Sequence, residues 1–98
     1  MAQFDVFRAS DGTLLLDCQS EAMEYLETRL VAPLIALVDA PPRRPHLNPI
    51  FDLDGQTYVM LTQFAAAVSS GELRARVAHL GQHRFEIIGA FDMLLTGV

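Results

Sequence analysis

The sequence predicts a small α+β fold that is mainly β, with a curled antiparallel sheet and one C-terminal helix. Short apolar segments are separated by Asp-Gly turns at residues 11–12 and 54–55, a pattern typical of antiparallel hairpins. The last apolar segment, residues 84–95, fits a helix instead. A length of 98 residues leaves room for one domain, which we assign to residues 1–98.

The first half of the chain predicts three strand regions. Residues 3–8 are aromatic and β-branched enough for a strand, and residues 13–17 return as a second strand. Residues 19–27 fit either one or two helical turns or a loop. Residues 28–38 form the longest apolar run, and Pro33 in its middle suits a bulge or an edge position. This run therefore predicts two consecutive strand segments around Pro33.

The second half predicts another hairpin and a more ambiguous region. Residues 41–45, Pro-Pro-Arg-Arg-Pro, predict an exposed loop tip. Residues 50–53 and 57–62 flank an Asp-Gly turn and predict a hairpin. Residues 63–68 fit a buried loop or a short strand, and residues 72–80 fit a short helix or a strand.

The predicted C-terminal helix has apolar residues on nearly all sides. A helix of this kind packs on two sides, so one side is expected to cover the sheet and the other to meet a partner. The chain ends in an apolar residue with no polar tail, which also favours contact with its own fold or with a partner. The two stripes consist of Phe85, Ile88 and Leu95 with Asp92, and of Ile87, Phe91 and Leu94.

Composition limits the classes of partner. The formal charge is −5, and all seven basic residues are Arg, so no basic stripe is available to grip DNA directly. Apolar residues make up 51% of the chain and charged residues 19%, which favours an apolar interface and a two-fold dimer. The single Cys18 forms no internal disulfide and is expected to fill a small buried space. Without a signal peptide or a membrane span, the expected location is cytoplasmic.

The residues alone predict no catalytic site, metal or cofactor. His79 and His83 are four residues apart, but no third ligand completes a metal site. Asp17, Asp52 and Arg8 are candidate acid–base groups of a kind that any fold of this size supplies. The chain has no Gly-rich phosphate loop, no Gly-x-Ser-x-Gly and no His-Glu-x-x-His.

Five short segments of the chain resemble segments of a known family and occur in the same order. Two of them are Leu16-Asp17-Cys18-Gln19-Ser20-Glu21, which is similar to Val-Asp-Val-Gln-Ser-Asp, and Arg29-Leu30-Val31-Ala32-Pro33-Leu34, which is similar to Arg-x-Val-x-Pro-Leu. The others are Gln3-Phe4-Asp5-Val6-Phe7, residues 57–62 and the ending Gly97-Val98. In order and spacing they resemble the CcdB family of toxins over nearly the whole chain.

The resemblance implies a fold and a function. The fold is a dimer of small SH3-like barrels with a C-terminal helix, shared with toxins of the Kid and MazF type. The function is not enzymatic: the toxin binds the A subunit of DNA gyrase and traps the covalent cleavage complex of gyrase with DNA. A cognate CcdA-like antitoxin neutralises the toxin, and the complex represses its own operon. DNA is then contacted only through the antitoxin.

Position by position, the resemblance also implies a gyrase-binding surface. Thr96 stands where the family has Trp, and Asp92 stands where it has Asn, so Phe91 or Leu95 is the candidate replacement for the missing aromatic anchor. The predicted gyrase-binding residues are Ser20, Ala22, Met23, Asp92, Leu95, Thr96, Gly97 and Val98.

Two other functions stay open. The first is a CcdB-fold protein that has lost gyrase poisoning and acts as an antitoxin-binding corepressor or on another target, an alternative that Thr96 motivates. The second is a MazF-like endoribonuclease, which would need a positive groove with an acid–base pair. The net negative charge and the absence of Lys count against it.

Overall fold

In the computed structural model, which describes residues 2–98, seven strands form one antiparallel sheet and a helix follows it. The predicted α+β, mainly β fold is therefore confirmed. The strands are β1 (Asp5–Arg8), β2 (Leu14–Asp17), β3 (Thr28–Ala36), β4 (Ile50–Leu53), β5 (Gln56–Met60), β6 (Ala66–Ser69) and β7 (Ala75–His79), and the helix is α1 (Arg84–Thr96).

The sheet is organised around β3. The strand order is β4-β5-β3-β2-β1-β7, and β6 also pairs with β3. One edge of β3 pairs with β2. The other edge pairs with β6 over residues 28–31 and with β5 over residues 34–36. The sheet curls into a half-barrel, and the helix lies against its core.

The prediction of two strand segments around Pro33 is wrong, because β3 runs through Pro33 as one strand. Pro33 lies where the partner of β3 changes from β6 to β5, and its carbonyl oxygen accepts from the Leu61 N–H at 2.9 Å. The missing N–H of Pro33 faces the same side as that carbonyl, since both groups of a strand residue point to one side. The gap between β5 and β6 therefore accommodates the proline without a lost ladder bond.

Both predicted hairpins are present. The β1–β2 turn contains Gly12 at φ +90°, and the β4–β5 turn contains Asp54 at φ +52° followed by Gly55 at φ +82°. Two successive residues with positive φ define the turn that matches the twist of a tight hairpin. Asp and Gly tolerate this backbone better than other residues, so the local sequence sets the turn.

The ambiguous regions resolve into short elements. Residues 19–27 contain one 3-10 turn, Glu21–Met23, and residues 72–80 contain the strand β7. Residues 41–45 are exposed loop, as predicted. Of the two alternatives for residues 63–68, the short strand is correct, since these residues contain most of β6. The buried loop is wrong, because Phe64 is 60% exposed.

The helix covers the main core with one face. Ile87 and Ala90 are fully buried, and Ile88 and Phe91 pack at the margin of the same cluster. Cys18 is buried there, as predicted, and burial raises the pKa of its thiol to about 12. Within residues 2–98, no helix is both long enough and apolar enough to cross a membrane.

Candidate functional site

The predicted site at the end of the chain lies on the last turn of α1 and just beyond it. Gly97 has a left-handed backbone with φ +80°, and its N–H donates to the Met93 carbonyl oxygen at 2.9 Å. Glycine adopts this backbone without the steric cost of a Cβ, which is why it often ends helices. Gly97 therefore ends the helix, and Val98 follows outside it.

The apolar side chains at this end are exposed to solvent. Leu95 is 78% exposed and Val98 is 87% exposed, whereas Ile87 and Ala90 face the core. Of the predicted stripe Phe85, Ile88 and Leu95, the two outer residues are exposed, whereas Ile88 packs at the margin of the core. An apolar surface of this kind marks a site where a protein partner can bind.

Thr96 and Asp92 lie one helical turn apart, and they contact each other. The Thr96 hydroxyl donates to the Asp92 carbonyl oxygen at 2.7 Å, so this hydroxyl is occupied within the helix. What Thr96 offers to a partner is mainly its methyl group. The exposed Asp92 carboxylate adds a negative charge beside it.

The second predicted segment, residues 20–23, forms an exposed turn. The Ser20 hydroxyl accepts from the Ala22 N–H at 3.2 Å and caps the 3-10 turn Glu21–Met23. Ser20 and Ala22 are exposed, and Met23 is 43% exposed. All three side chains are therefore accessible to a partner.

The structure places the two predicted segments near opposite ends of α1. The Gln3 N–H donates to Glu21 Oε1 at 3.2 Å, and Gln3 Oε1 accepts from Arg84 at 3.1 Å. Arg84 is the first residue of α1, so the turn that contains Ser20 lies beside the helix start. At 1.5 Å per residue, the helix end lies about 20 Å away. One protomer therefore presents the two segments as separate patches.

A groove beside the helix end is a feature that the sequence analysis missed. It has a volume of about 590 Å³ and lies between α1 and the loop before β4. The buried Asn48 holds this loop in place, because its amide donates to the Met60 carbonyl oxygen at 3.0 Å and to Gln63 Oε1 at 2.8 Å. No local pattern signals the loop's contact with the helix. Apolar lining comes from Pro45, Pro49, Ile50, Phe85, Met93 and Val98.

The candidate metal and acid–base groups lie apart and make other contacts. His79 pairs with Asp5 at 2.8 Å, and His83 pairs with Glu86 at 3.0 Å. Across residues 2–98, no three His, Cys, Asp or Glu side chains are grouped to hold a metal ion. Asp52 accepts from the Thr57 hydroxyl at 2.7 Å, a contact across the β4–β5 hairpin.

Asp17, another candidate acid–base group, forms a buried ion pair. Arg29 Nε and one of its terminal nitrogens donate to the Asp17 carboxylate, the shortest N–O distance being 2.6 Å. Both side chains are almost completely buried, at 0% and 1% exposed. The pair joins β2 to β3 inside the protein, so Asp17 serves the fold.

A second charged cluster links the two sheet strands β1 and β7, and the sequence analysis did not find it. Asp5 is 3% exposed and accepts from the Ala2 N–H at 3.0 Å, from Arg76 at 3.0 Å and from His79 at 2.8 Å. Burial acts to raise the pKa of the Asp5 carboxyl. The hydrogen bonds from Arg76, Ala2 and His79 outweigh burial and hold the pKa below its ordinary value of 3.8.

This lowered pKa predicts a contribution of Asp5 to acid resistance. A carboxyl whose pKa is lower in the folded state stabilises the protein above its unfolded pKa, and this stability is lost as pH falls through the folded pKa. We expect Asp5→Asn to be less stable than the parent at neutral pH and to lose less stability between about pH 5 and about pH 2. Urea unfolding across that range measures the effect. Asp39→Asn, at an exposed carboxylate, is the matched control and should follow the parent.

Comparison with known proteins identifies the family of the chain. The family model described as CcdB protein matches residues 3–97. Among curated proteins, none matches the chain significantly. The family match spans every residue of the strands and the helix and includes all the predicted gyrase-binding positions except Val98. The chain therefore belongs to the CcdB family, and this membership supports the role of a toxin in a toxin–antitoxin system.

Proposed function

We propose that this protein binds the A subunit of DNA gyrase and traps the covalent cleavage complex of gyrase with DNA, with no chemistry of its own. The observation that supports this proposal best is the apolar end of α1. Leu95 and Val98 are both exposed there, and Val98 lines a groove. Exposed apolar side chains of this kind suit a protein partner. Membership of the CcdB family indicates which partner to test first.

Trapping of a covalent intermediate requires only differential binding. A protein that binds gyrase more tightly when the DNA is cleaved than when it is resealed shifts the population towards the cleaved state. The end of α1 suits this role, because its backbone is already ordered as a helix and need not be ordered again when a partner binds.

The proposal includes the other partners that the family implies. A homodimer would present two copies of the exposed helix end. A CcdA-like antitoxin would neutralise the toxin, and the complex of the two would repress transcription of the operon. With a net charge of −5, the chain itself is poorly suited to hold DNA, so operator binding is assigned to the antitoxin. The proposed site of action is the cytoplasm, where gyrase and its DNA are found.

The direct test is a DNA cleavage assay. Purified protein is incubated with gyrase from the same host, plasmid DNA and ATP, and the DNA is examined after protein digestion. We expect linear plasmid, which is the product of a trapped cleavage complex. Absence of linear DNA, in an assay where an authentic family toxin succeeds with its own gyrase, would contradict the proposal.

The second candidate is a corepressor that keeps the antitoxin but does not poison gyrase. It is supported by Thr96, whose hydroxyl is bound to Asp92 and whose small side chain replaces the family's Trp. Thr96→Trp distinguishes the two functions. If the parent is inactive and Thr96→Trp produces linear DNA, the second function is supported; if both produce it, the first function is.

A further inference from the structure

Gln3 contacts both elements that carry the predicted gyrase-binding segments. Its N–H donates to Glu21 Oε1 at 3.2 Å in the exposed turn, and its Oε1 accepts from Arg84 at 3.1 Å at the start of α1. Its Nε2 donates to the Cys18 carbonyl oxygen at 3.1 Å, just after β2. Gln3 therefore has one hydrogen bond to the turn, one to the helix and one to the end of a sheet strand.

The backbone next to Gln3 is strained. Phe4 has φ +72°, in the left-handed region that bulky residues rarely adopt. The surrounding structure holds it there, because the Phe4 N–H donates to the Asp17 carbonyl oxygen at 2.6 Å and the Phe4 carbonyl oxygen accepts from the Leu80 N–H at 2.8 Å. Backbone strain of this kind is concentrated at functional sites. The bend at Phe4 therefore points to a role for the residue that it orients, which is Gln3.

Arg84 is placed by two contacts. Its guanidinium lies 5.8 Å from the centre of the Phe4 ring, a cation–π distance, and one of its terminal nitrogens donates to Gln3. Within residues 2–98, none of the ion pairs includes Arg84. The first residue of α1 is thus directed towards Gln3 rather than towards a carboxylate.

The turn of residues 20–23 depends on such contacts for its position. None of the residues in its 3-10 segment, Glu21–Met23, is buried, so core packing does not fix the turn. On one side Gln19 joins it to β3, because its Nε2 donates to the Met23 carbonyl oxygen at 2.9 Å and its Oε1 accepts from the Leu30 N–H at 3.0 Å. On the other side the bond between Glu21 and Gln3 joins it, through Arg84, to α1.

We propose that Gln3 and Arg84 are positioning residues, which together hold the turn of residues 20–23 at a fixed place relative to α1. The turn and the helix end then meet gyrase as two parts of one preorganised surface. Two separate patches add their binding free energies only if their spacing matches the partner, and a mobile patch has to be ordered on binding. This inference rests on the proposed gyrase binding, and it assigns no contact with gyrase to Gln3 or Arg84.

The first test is a double-mutant cycle read by the gyrase cleavage assay. Arg84→Met keeps a long unbranched side chain but removes the bond to Gln3, so we expect linear DNA to require about threefold to tenfold more toxin. Met23→Ala truncates a 43% exposed side chain of the turn. In the Met23→Ala background, Arg84→Met should cost much less, because the misplaced turn has less contact to lose. An equal cost in both backgrounds, or no cost in the parent, would overturn the inference.

Two matched variants separate the hydrogen bond from a general effect. Arg84→Lys keeps a donor for Gln3 Oε1 and should restore most of the activity that Arg84→Met loses. Arg74→Met makes the same change at an exposed arginine that bonds only the Gly71 carbonyl oxygen, and it should act like the parent. Equal losses in Arg84→Met and Arg74→Met would overturn the role of the bond, because a general effect of lost positive charge would then explain both.

The second test needs no gyrase. Amide order parameters from NMR relaxation report the mobility of the turn on the ps–ns timescale. In Arg84→Met we expect them to fall at residues 21–24 and to stay at parent values along α1. Unchanged order parameters in the turn would overturn the inference. If they fall while the wild type forms no linear DNA, the proposed function is overturned and the positioning of the turn by Gln3 and Arg84 is upheld.

Discussion

Replacing Arg29 by Met is expected to lower the free energy of unfolding by about 3–5 kcal/mol, enough to unfold much of a marginally stable domain. Arg29 and Asp17 are 1% and 0% exposed, so Met at this position would leave an unpaired carboxylate inside the protein. The loss comes mainly from that stranded charge rather than from the ion pair itself. Urea unfolding followed by circular dichroism measures it.

Two further variants separate these contributions. The double variant Arg29→Met with Asp17→Leu removes both charges and should recover part of the lost stability. Arg74→Met is the matched control, because Arg74 is exposed and bonds only a backbone oxygen; its effect should stay within about 0.5 kcal/mol. If the double variant is no more stable than Arg29→Met alone, the stranded-charge explanation is wrong.

Replacing Val98 by Asp is expected to reduce gyrase cleavage by about 30-fold or more without changing stability. Val98 is 87% exposed and lies beside the groove, so the substitution costs nothing in the fold and places a charge on the proposed contact surface. Loss of an interface anchor typically costs about 2 kcal/mol, which corresponds to that change in affinity. Titration of toxin against linear DNA formed measures the effect.

Val38→Asp is the matched control for this experiment. Val38 is also a valine, it is 88% exposed, and it lies in the short 3-10 turn after β3 rather than on α1. The same charge is thus introduced at equal exposure on another element. Equal loss of cleavage in both variants would argue against a specific role for the helix end and for a general effect of negative charge.

Local sequence predicted the hairpins well because their turns are set by adjacent residues. Asp54 and Gly55 tolerate the positive φ that a tight turn needs, so the pattern alone identified it. The strand prediction at Pro33 was wrong because the effect of this proline depends on residues distant in sequence. Whether a proline fits a strand depends on which neighbour lies beside it, and that neighbour comes from residues far along the chain.

At the candidate site too, the sequence predicted local features but not contacts between residues distant in sequence. The exposed end of α1 was visible in the sequence as an excess of apolar residues. The Asp5 cluster was not, because His79 is separated from Asp5 by 74 positions and meets it only through strand pairing. Likewise, Asp17 and Arg29 belong to two different family-like segments, and only the fold shows that these segments are joined by an ion pair.

The interruption between β5 and β6, opposite Pro33, has a consequence for local unfolding of the sheet. The β4–β5 hairpin is attached to β3 at residues 34–36, and β6 is attached at residues 28–31, so the two attachments share no residue. Pro33 lies between them and has no amide hydrogen with which to couple them. The strand β6, which is mostly exposed, can therefore open transiently while the hairpin stays paired through the buried residues Phe51, Val59 and Met60. Amide hydrogens of β6 should then exchange faster than those of β5.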